Sequence, residues 1–249
     1  MRESKYLKKM IIDTDKTFKT NEMRKFADKV LNIQNYTMDD IIAAFYKIAI
    51  SNDKDFEKFL KSFHDLCLKC PYPSAIACIA KFLCLELKPF EFREKISKLI
   101  CEDSNKKIET YDERLDDLKN NVDIIILVAA EFYNYDIISC QAFVSVLEKL
   151  ALNLKTTTRI FIFHLFLFTA ALKLIHTGDG CDLQTVYHHF KNKPTKTMKR
   201  ELFRRFKEFQ DHFTTVFELS VATVKESQKK FNFSYIMDSL NEKNFDSSI

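Results

Sequence analysis

The chain has 249 residues, with 39 Lys and Arg against 35 Asp and Glu, and only 2 Gly and 4 Pro. That shortage of backbone breakers excludes most sheets and barrels, whose turns consume Gly, Pro and Asn, and it excludes phosphate loops, which need Gly where backbone approaches a ligand. A net charge of +4 excludes a polycation, so a basic partner surface has to be local.

Residues 1–20 are polar and charged and read as a flexible or frayed segment. Thr37 is placed to cap a helix with apolar positions Ile41, Ile42, Phe45 and Ile48 at 3.6-residue spacing, and Asp40 stands three residues after the cap, as in a capping box. Asn52-Asp53 ends that run. The next helix carries Phe56, Phe59, Leu60, Phe63, Leu66 and Cys67 on one stripe. "CPYPS" closes it, and a helix from Ala75 to Leu87 follows. Pro89 then separates a helix built on Phe92, Ile96, Leu99 and Ile100. "CEDSNKKIETYDERLDDLKNN", from Cys101, reads as a loop running into a charged helix start.

Val122 to Ala130 is an apolar run that predicts a buried helix, with "YNYDIIS" the polar turn into a helix from Cys140 to Leu154. The run from Arg159 to Ile175 predicts a second buried helix. Its best apolar window, Ile160 to Leu172, is interrupted by His164 and falls short of the ~20 residues a membrane span needs. "HTGDGCD" reads as a turn, with too few alternating acids for a calcium loop. A short helix from Leu183 to Lys191, a break at Pro194 and a basic amphipathic helix to about Val224 complete the series, and residues 225–249 read as a loosely ordered tail.

The start, "MRESKYLKKMIID", is charged and lacks the long apolar core of a signal peptide. The seven Cys are odd in number and sit mostly in apolar helical patterns, which implies reduced thiols and a cytoplasmic or nuclear setting, without a membrane. Helix pairs recur every 40 to 45 residues or so, the period of stacked helical hairpins. In such a stack, helices walled in on both sides become apolar nearly all round.

Two stretches carry a family resemblance. "IIAAFYKIAISNDKDFEKFLKSFHDLC", Ile41 to Cys67, resembles the first hairpin of the middle domain of translation initiation factor 4G. "LVAAEFYNYDIISCQAFVSVLEKLALN", Leu127 to Asn153, resembles that family's most recognisable segment through Glu131, Phe132, Tyr133, Asn134, Ile137, Ile138 and Ser139. "RIFIFHLFLFTAALKLI" stands where the family has a further apolar helix. Ala130 replaces a usual Gly, and "TKTMKRELFRRFKEFQ" keeps the family's basic amphipathic character without its letters. The resemblance implies an all-α, HEAT-like right-handed solenoid of about five antiparallel helical hairpins over residues 21–224. It also implies a monomeric, non-catalytic scaffold in mRNA translation or mRNA regulation, docking a DEAD-box RNA helicase or a cap-binding translation factor, and RNA. A generic helical-repeat adaptor without an RNA role is the alternative.

The candidate site is basic. Lys191, Lys193, Lys196, Lys199, Arg200, Arg204, Arg205 and Lys207 form a cluster in which Glu201 and Glu208 are the only acids. Lys196, Arg200, Arg204 and Lys207 share one helical face, opposite Leu202, Phe203, Phe206, Phe209 and Phe213. A row of cations suits phosphates or an acidic partner. Cys67 and Cys70 with His64 invite a zinc reading, but a structural site needs four converging ligands and no second pair is present, so they read as buried or partly exposed thiols. His188-His189 lacks a nucleophile or acidic partner and reads as a surface pair. Tyr6 to Ile12 and Tyr235 to Leu240 approach the Tyr-x4-Leu motif of cap-binding-protein ligands, at a frequency chance alone supplies. No catalytic residue, cofactor or metal is expected.

Overall fold

The computed structural model describes residues 20–110, 122–152, 157–191 and 200–245. Among them every regular element is helical. The chain divides into two compact units, Met1–Lys149 and Leu150–Ile249.

The first unit contains α1 (Thr20–Leu31), α2 (Met38–Phe45), α3 (Asp53–Cys67), α4 (Pro73–Glu86), α5 (Phe92–Thr110) and α6 (Val122–Asn134), and most of α7 (Cys140–Leu152). Local chemistry sets the helix starts. The Thr37 hydroxyl accepts from the Asp40 amide at 3.2 Å, and the Asp40 carboxylate accepts from the Thr37 amide at 3.0 Å, the reciprocal box the sequence predicts. Asn52 caps α3 through its side-chain oxygen on the Asp55 amide at 3.0 Å. Asp55 is buried, and its carboxylate accepts from Ser51 and Asn52, which offsets the cost of removing it from water. Pro73 opens α4, where its missing amide costs no helix bond.

The core of this unit is aromatic. Phe26, Phe45 and Phe59 have centroids 5.6 to 6.2 Å apart, and Phe92 packs edge-on against Phe63 at 5.6 Å. With Phe56, these rings are at least nine-tenths buried, and each contributes dispersion and ring-edge contact beyond its transfer from water. Alternate helices lie side by side: α1 on α3, α3 on α5, and α4 on α6. Glu57 pairs with Lys95 at 2.8 Å and His64 with Asp103 at 3.1 Å, so α3 and α5 run parallel, about one repeat out of register.

α6 is covered nearly all round. No residue from 124 to 135 is fully exposed, and Ile125, Ile126, Val128, Ala130 and Phe132 are buried. The helix runs one turn beyond Ala130 because Phe132 and Tyr133 belong to the core, Tyr133 stacking on Phe143 of α7 at 4.5 Å. The helix ends at Asn134, and two residues on Asp136 takes φ 59°. The Ile137 amide reaches back to the Phe132 carbonyl at 2.8 Å, and the Asp136 amide to the Tyr133 carbonyl at 3.0 Å. This left-handed cap satisfies carbonyls that the end of a buried helix would otherwise orphan.

α5 continues to Thr110, where the sequence suggests a loop from Cys101. Its inner stripe is Ile96, Ile100, Ser104 and Ile108, all buried. Ser104 hides the stripe from a hydropathy reading, yet its hydroxyl donates to the Ile100 carbonyl at 2.7 Å and so tolerates burial.

The second unit holds α8 (Thr157–Thr177), a 3-10 turn (Asp179–Leu183), α9 (Gln184–Lys191) and α10 (Arg200–Phe245). Phe163 meets Phe209, His164 meets His212, and the Ser220 hydroxyl donates to the Leu174 carbonyl at 3.0 Å, so α8 and α10 run parallel in steady register. Both glycines of the chain serve this junction. Gly178 has φ 77°, and a Cβ there would lie 2.5 Å from Val224; a Cβ on Gly180 would overlap the side chain of buried Ser220. Tyr187 of α9 stacks on Phe217 of α10 at 4.4 Å. α10 is helical through Phe245, beyond residue 225, where the sequence suggests a loosely ordered tail.

Candidate functional site

The predicted basic cluster falls partly on α10. Lys193, Lys196 and Lys199 lie outside the described residues, and Lys191 ends α9 with its ammonium 5.6 Å from the Tyr187 ring centroid. Arg200, Arg204, Arg205 and Lys207 are exposed, while Phe206, Phe209 and Phe213 are buried on the opposite face. Phe203, expected on that inner face, is exposed.

The two acids have a larger role than their number suggests. Arg204 grips Glu201 through two nitrogens, at 2.8 and 3.1 Å, and reaches Glu208 at 2.6 Å. Arg205 reaches the same two carboxylates at 3.2 and 3.5 Å. The Arg204 hydrogen bonds hold the Glu201 carboxyl below its ordinary value and raise the Arg204 guanidinium in return. All four groups are on the surface, so the network orders side chains more than it stabilises the fold. Its effect on the site is to turn two of the four cations of the predicted cluster that lie on this helix toward neighbouring acids. Lys207 donates to Gln210 at 3.0 Å.

A more distinctive surface lies on α8, where the sequence suggests a buried helix. Its inner side is buried: Ile162, Phe163, Phe166, Leu167, Ala170 and Leu174. Its outer side is not. Phe161 is 54% exposed, Phe168 69% and Leu172 75%, with Leu165 and Ile175 half-buried between them. Positions 161, 165, 168, 172 and 175 follow alternating steps of four and three, the spacing by which one helix receives another. α8 contains Arg159, His164, Lys173 and His176 and no acid. By length and composition, Ile160–Thr177 could also cross a membrane, since the 18-residue window is longer than the run to Leu172.

His164 stands beside this stripe. Its Nε2 is 2.6 Å from Nδ1 of His212, and its ring lies edge-on to Phe168 and Phe209. A contact that short requires one imidazole to donate to a neutral partner. Burial and the nearby His212 hold His164 below its ordinary value, with Glu208 acting in the opposite sense.

A smaller apolar patch lies on the first unit. Tyr46 is 61% exposed and Leu85 70%, with Phe82 edge-on to Tyr46 at 6.1 Å. The hydrogen bond from Tyr46 to Glu86 raises its phenol above the ordinary value.

The zinc ligands considered in the sequence do not converge. Cys70 Sγ faces the carbonyls of Val30 and Tyr72, whereas His64 faces Asp103 on α5. Among the described residues no group of three or more His, Cys, Asp or Glu side chains could hold a metal. His188 is exposed on α9, and His189 lies among side chains outside the description. The segment from Tyr6 to Ile12 is outside the described residues, and Tyr235 to Leu240 lies within α10.

Fold and surface together define a class, helical throughout the described residues, with helices packed on one another and an open apolar face on α8. No family model, curated protein or solved structure matches the chain.

Proposed function

We propose that this chain is a non-catalytic helical scaffold that docks partner proteins in mRNA translation or mRNA regulation. The observation that carries the docking reading is the open stripe of α8, in which Phe161, Phe168 and Leu172 are more than half exposed on a helix whose other side is closed. Contiguous exposed apolar surface of this kind costs solubility and marks contact sites. The translation setting rests on the resemblance of Glu131 to Ser139 to the middle domain of factor 4G, which names a DEAD-box helicase or cap-binding factor as partner. On this reading the side-by-side helices of the first unit are layers of a right-handed, HEAT-like solenoid of about five hairpins. The basic start of α10, with the Lys193, Lys196 and Lys199 segment before it, adds affinity for RNA. A helical-repeat adaptor without RNA is the second reading, favoured by the engagement of Arg204 and Arg205 with Glu201 and Glu208.

Capture from nuclease-treated cell extract tests the proposal, comparing the native chain with a Phe168→Glu, Leu172→Glu variant. Recovery of a DEAD-box helicase or cap-binding factor by the native chain only is the expected result. Recovery of an unrelated protein sinks the translation setting, and equal recovery by both chains sinks the docking face.

A further inference from the structure

We infer that His164 and His212 form an acid-released clasp between α8 and α10, a contact that tolerates one added proton and is broken by a second. The observation that carries it is geometric. Two imidazoles from two different helices meet nitrogen to nitrogen, Nε2 to Nδ1, at 2.6 Å. The inference is independent of what binds the outer face of α8.

Proton counting sets the behaviour. When both rings are neutral, one facing nitrogen carries the hydrogen and the other offers a lone pair. A first added proton settles on an outward nitrogen, His164 Nδ1 or His212 Nε2, and leaves a charge-assisted bond in place, which suits so short a distance. A second proton puts hydrogen on both facing nitrogens and a like charge on each ring. At 2.6 Å that arrangement has no bond left to hold it, and the rings part.

The surroundings favour release over a doubly charged pair. His164 is half-buried beside the rings of Phe168 and Phe209, and α8 contains no acid. On α10, Glu208 stands one turn before His212 and opposes release, but Arg204 and Arg205 hold its carboxylate. Asp211 lies about 100° round the helix from His212, and Glu218 more than one turn on. α9 meets α10 at Phe213 and Phe217, and its Tyr187, His188 and Lys191 are not among the groups that act on His164. The turn that holds Asp179 and Asp182 meets α10 at Ser220, about two turns beyond His212. Burial and His212 hold His164 below its ordinary value, which sets the second step below about pH 6.5. No third ligand makes the pair a metal site: among the described residues no group of three or more His, Cys, Asp or Glu side chains could hold an ion.

Release is local. Phe163 on Phe209 and the Ser220 hydroxyl on the Leu174 carbonyl still close the inner side of α8. Acid therefore opens the solvent edge of the seam, beside Phe168, without unfolding the unit.

The test is an NMR titration of the full chain carrying isotope-labelled histidine, with the two rings assigned through single variants. His164 and His212 should titrate in two coupled steps, the lower one below about pH 6.5. In His212→Ala, His164 should titrate in one step, at higher pH than the lower native step. By urea denaturation, His212→Ala should raise the unfolding equilibrium constant about fivefold at about pH 7.5, and that cost should vanish at about pH 5. Independent titration of the two rings, with His164 unmoved by His212→Ala, overturns the inference. So does an equal cost of His212→Ala at both pH values, which would make the pair a fixed packing contact. Cooperative loss of helix at the lower step, read by circular dichroism of the native chain, overturns it as well, because release would then be denaturation.

Discussion

α6 and α8 hold the two apolar stretches that stand out among the described helices, and in sequence both read as buried helices. In the fold they differ. α6 has no fully exposed residue from 124 to 134, whereas α8 leaves Phe161, Phe168 and Leu172 largely in solvent. The distinction is one of neighbours rather than of hydrophobicity, since α6 packs on α4 and α5 while α8 is closed chiefly along α10 and the turn that follows it. Apolar composition therefore reports that a face needs covering; it does not say whether the chain covers it or a partner does.

The contrast breaks first under charge. Val128→Glu in α6 would bury a carboxylate among apolar side chains and should unfold the first unit or cost several kcal/mol. Leu172→Glu in α8 should leave the free energy of unfolding, from urea denaturation, within about 0.5 kcal/mol of the native chain. A large loss at Leu172 would mean that the outer face of α8 is covered.

Next in size is the junction that closes the inner side of α8. Gly180→Ala places a methyl against Ser220, whose hydroxyl bonds the Leu174 carbonyl, and should destabilise the second unit by about 1–3 kcal/mol through overpacking. Urea denaturation measures it. Full tolerance would mean that α8 and α10 are not locked in this register.

A smaller effect depends on pH. His164 is held below its ordinary value of 6.5, so the folded state resists a proton that the unfolded chain accepts. The stabilising contribution is fully present above about pH 6.5 and is lost as pH falls through the lowered value. His212 and Glu208 on α10 are the titratable groups that face it. The Tm should decline modestly below pH 6.5, and His164→Gln should flatten that decline. An unchanged slope in the variant would assign the effect to other groups.

The smallest effect concerns the thiols. Burial pushes Cys84 and Cys101 up to about 11, and Cys67 and Cys70 are buried. Among the described thiols, exposed Cys78 should be alkylated first at neutral pH, with Cys84 and Cys101 lagging, as mass spectrometry of labelled peptides would show. Faster labelling of Cys101 would contradict the packing of α5.

Much of the fold was legible because the signals were local. Thr37 with Asp40 announced a capping box, and two Gly in the whole chain announced helices. α5 was cut short because Ser104 interrupts an apolar stripe that its own hydrogen bond to Ile100 sustains. The basic cluster was legible as a list of cations. Its neutralisation was legible only as spacing, since Glu201 and Glu208 stand three and four residues from Arg204 and Arg205. The α8 stripe was present in the letters but masked, because a second apolar line runs down the other side of the same helix. Which line lacks a neighbour is a tertiary fact.

The most direct measurement is therefore a comparison within α8 itself. Phe166 is buried and Phe168, two residues on, is 69% exposed. Urea denaturation of Phe166→Ala and Phe168→Ala should show losses of about 3–5 kcal/mol for the first and under about 0.5 kcal/mol for the second. Equal, large losses would mean that both sides of α8 are closed by the chain itself, and the docking face would not exist.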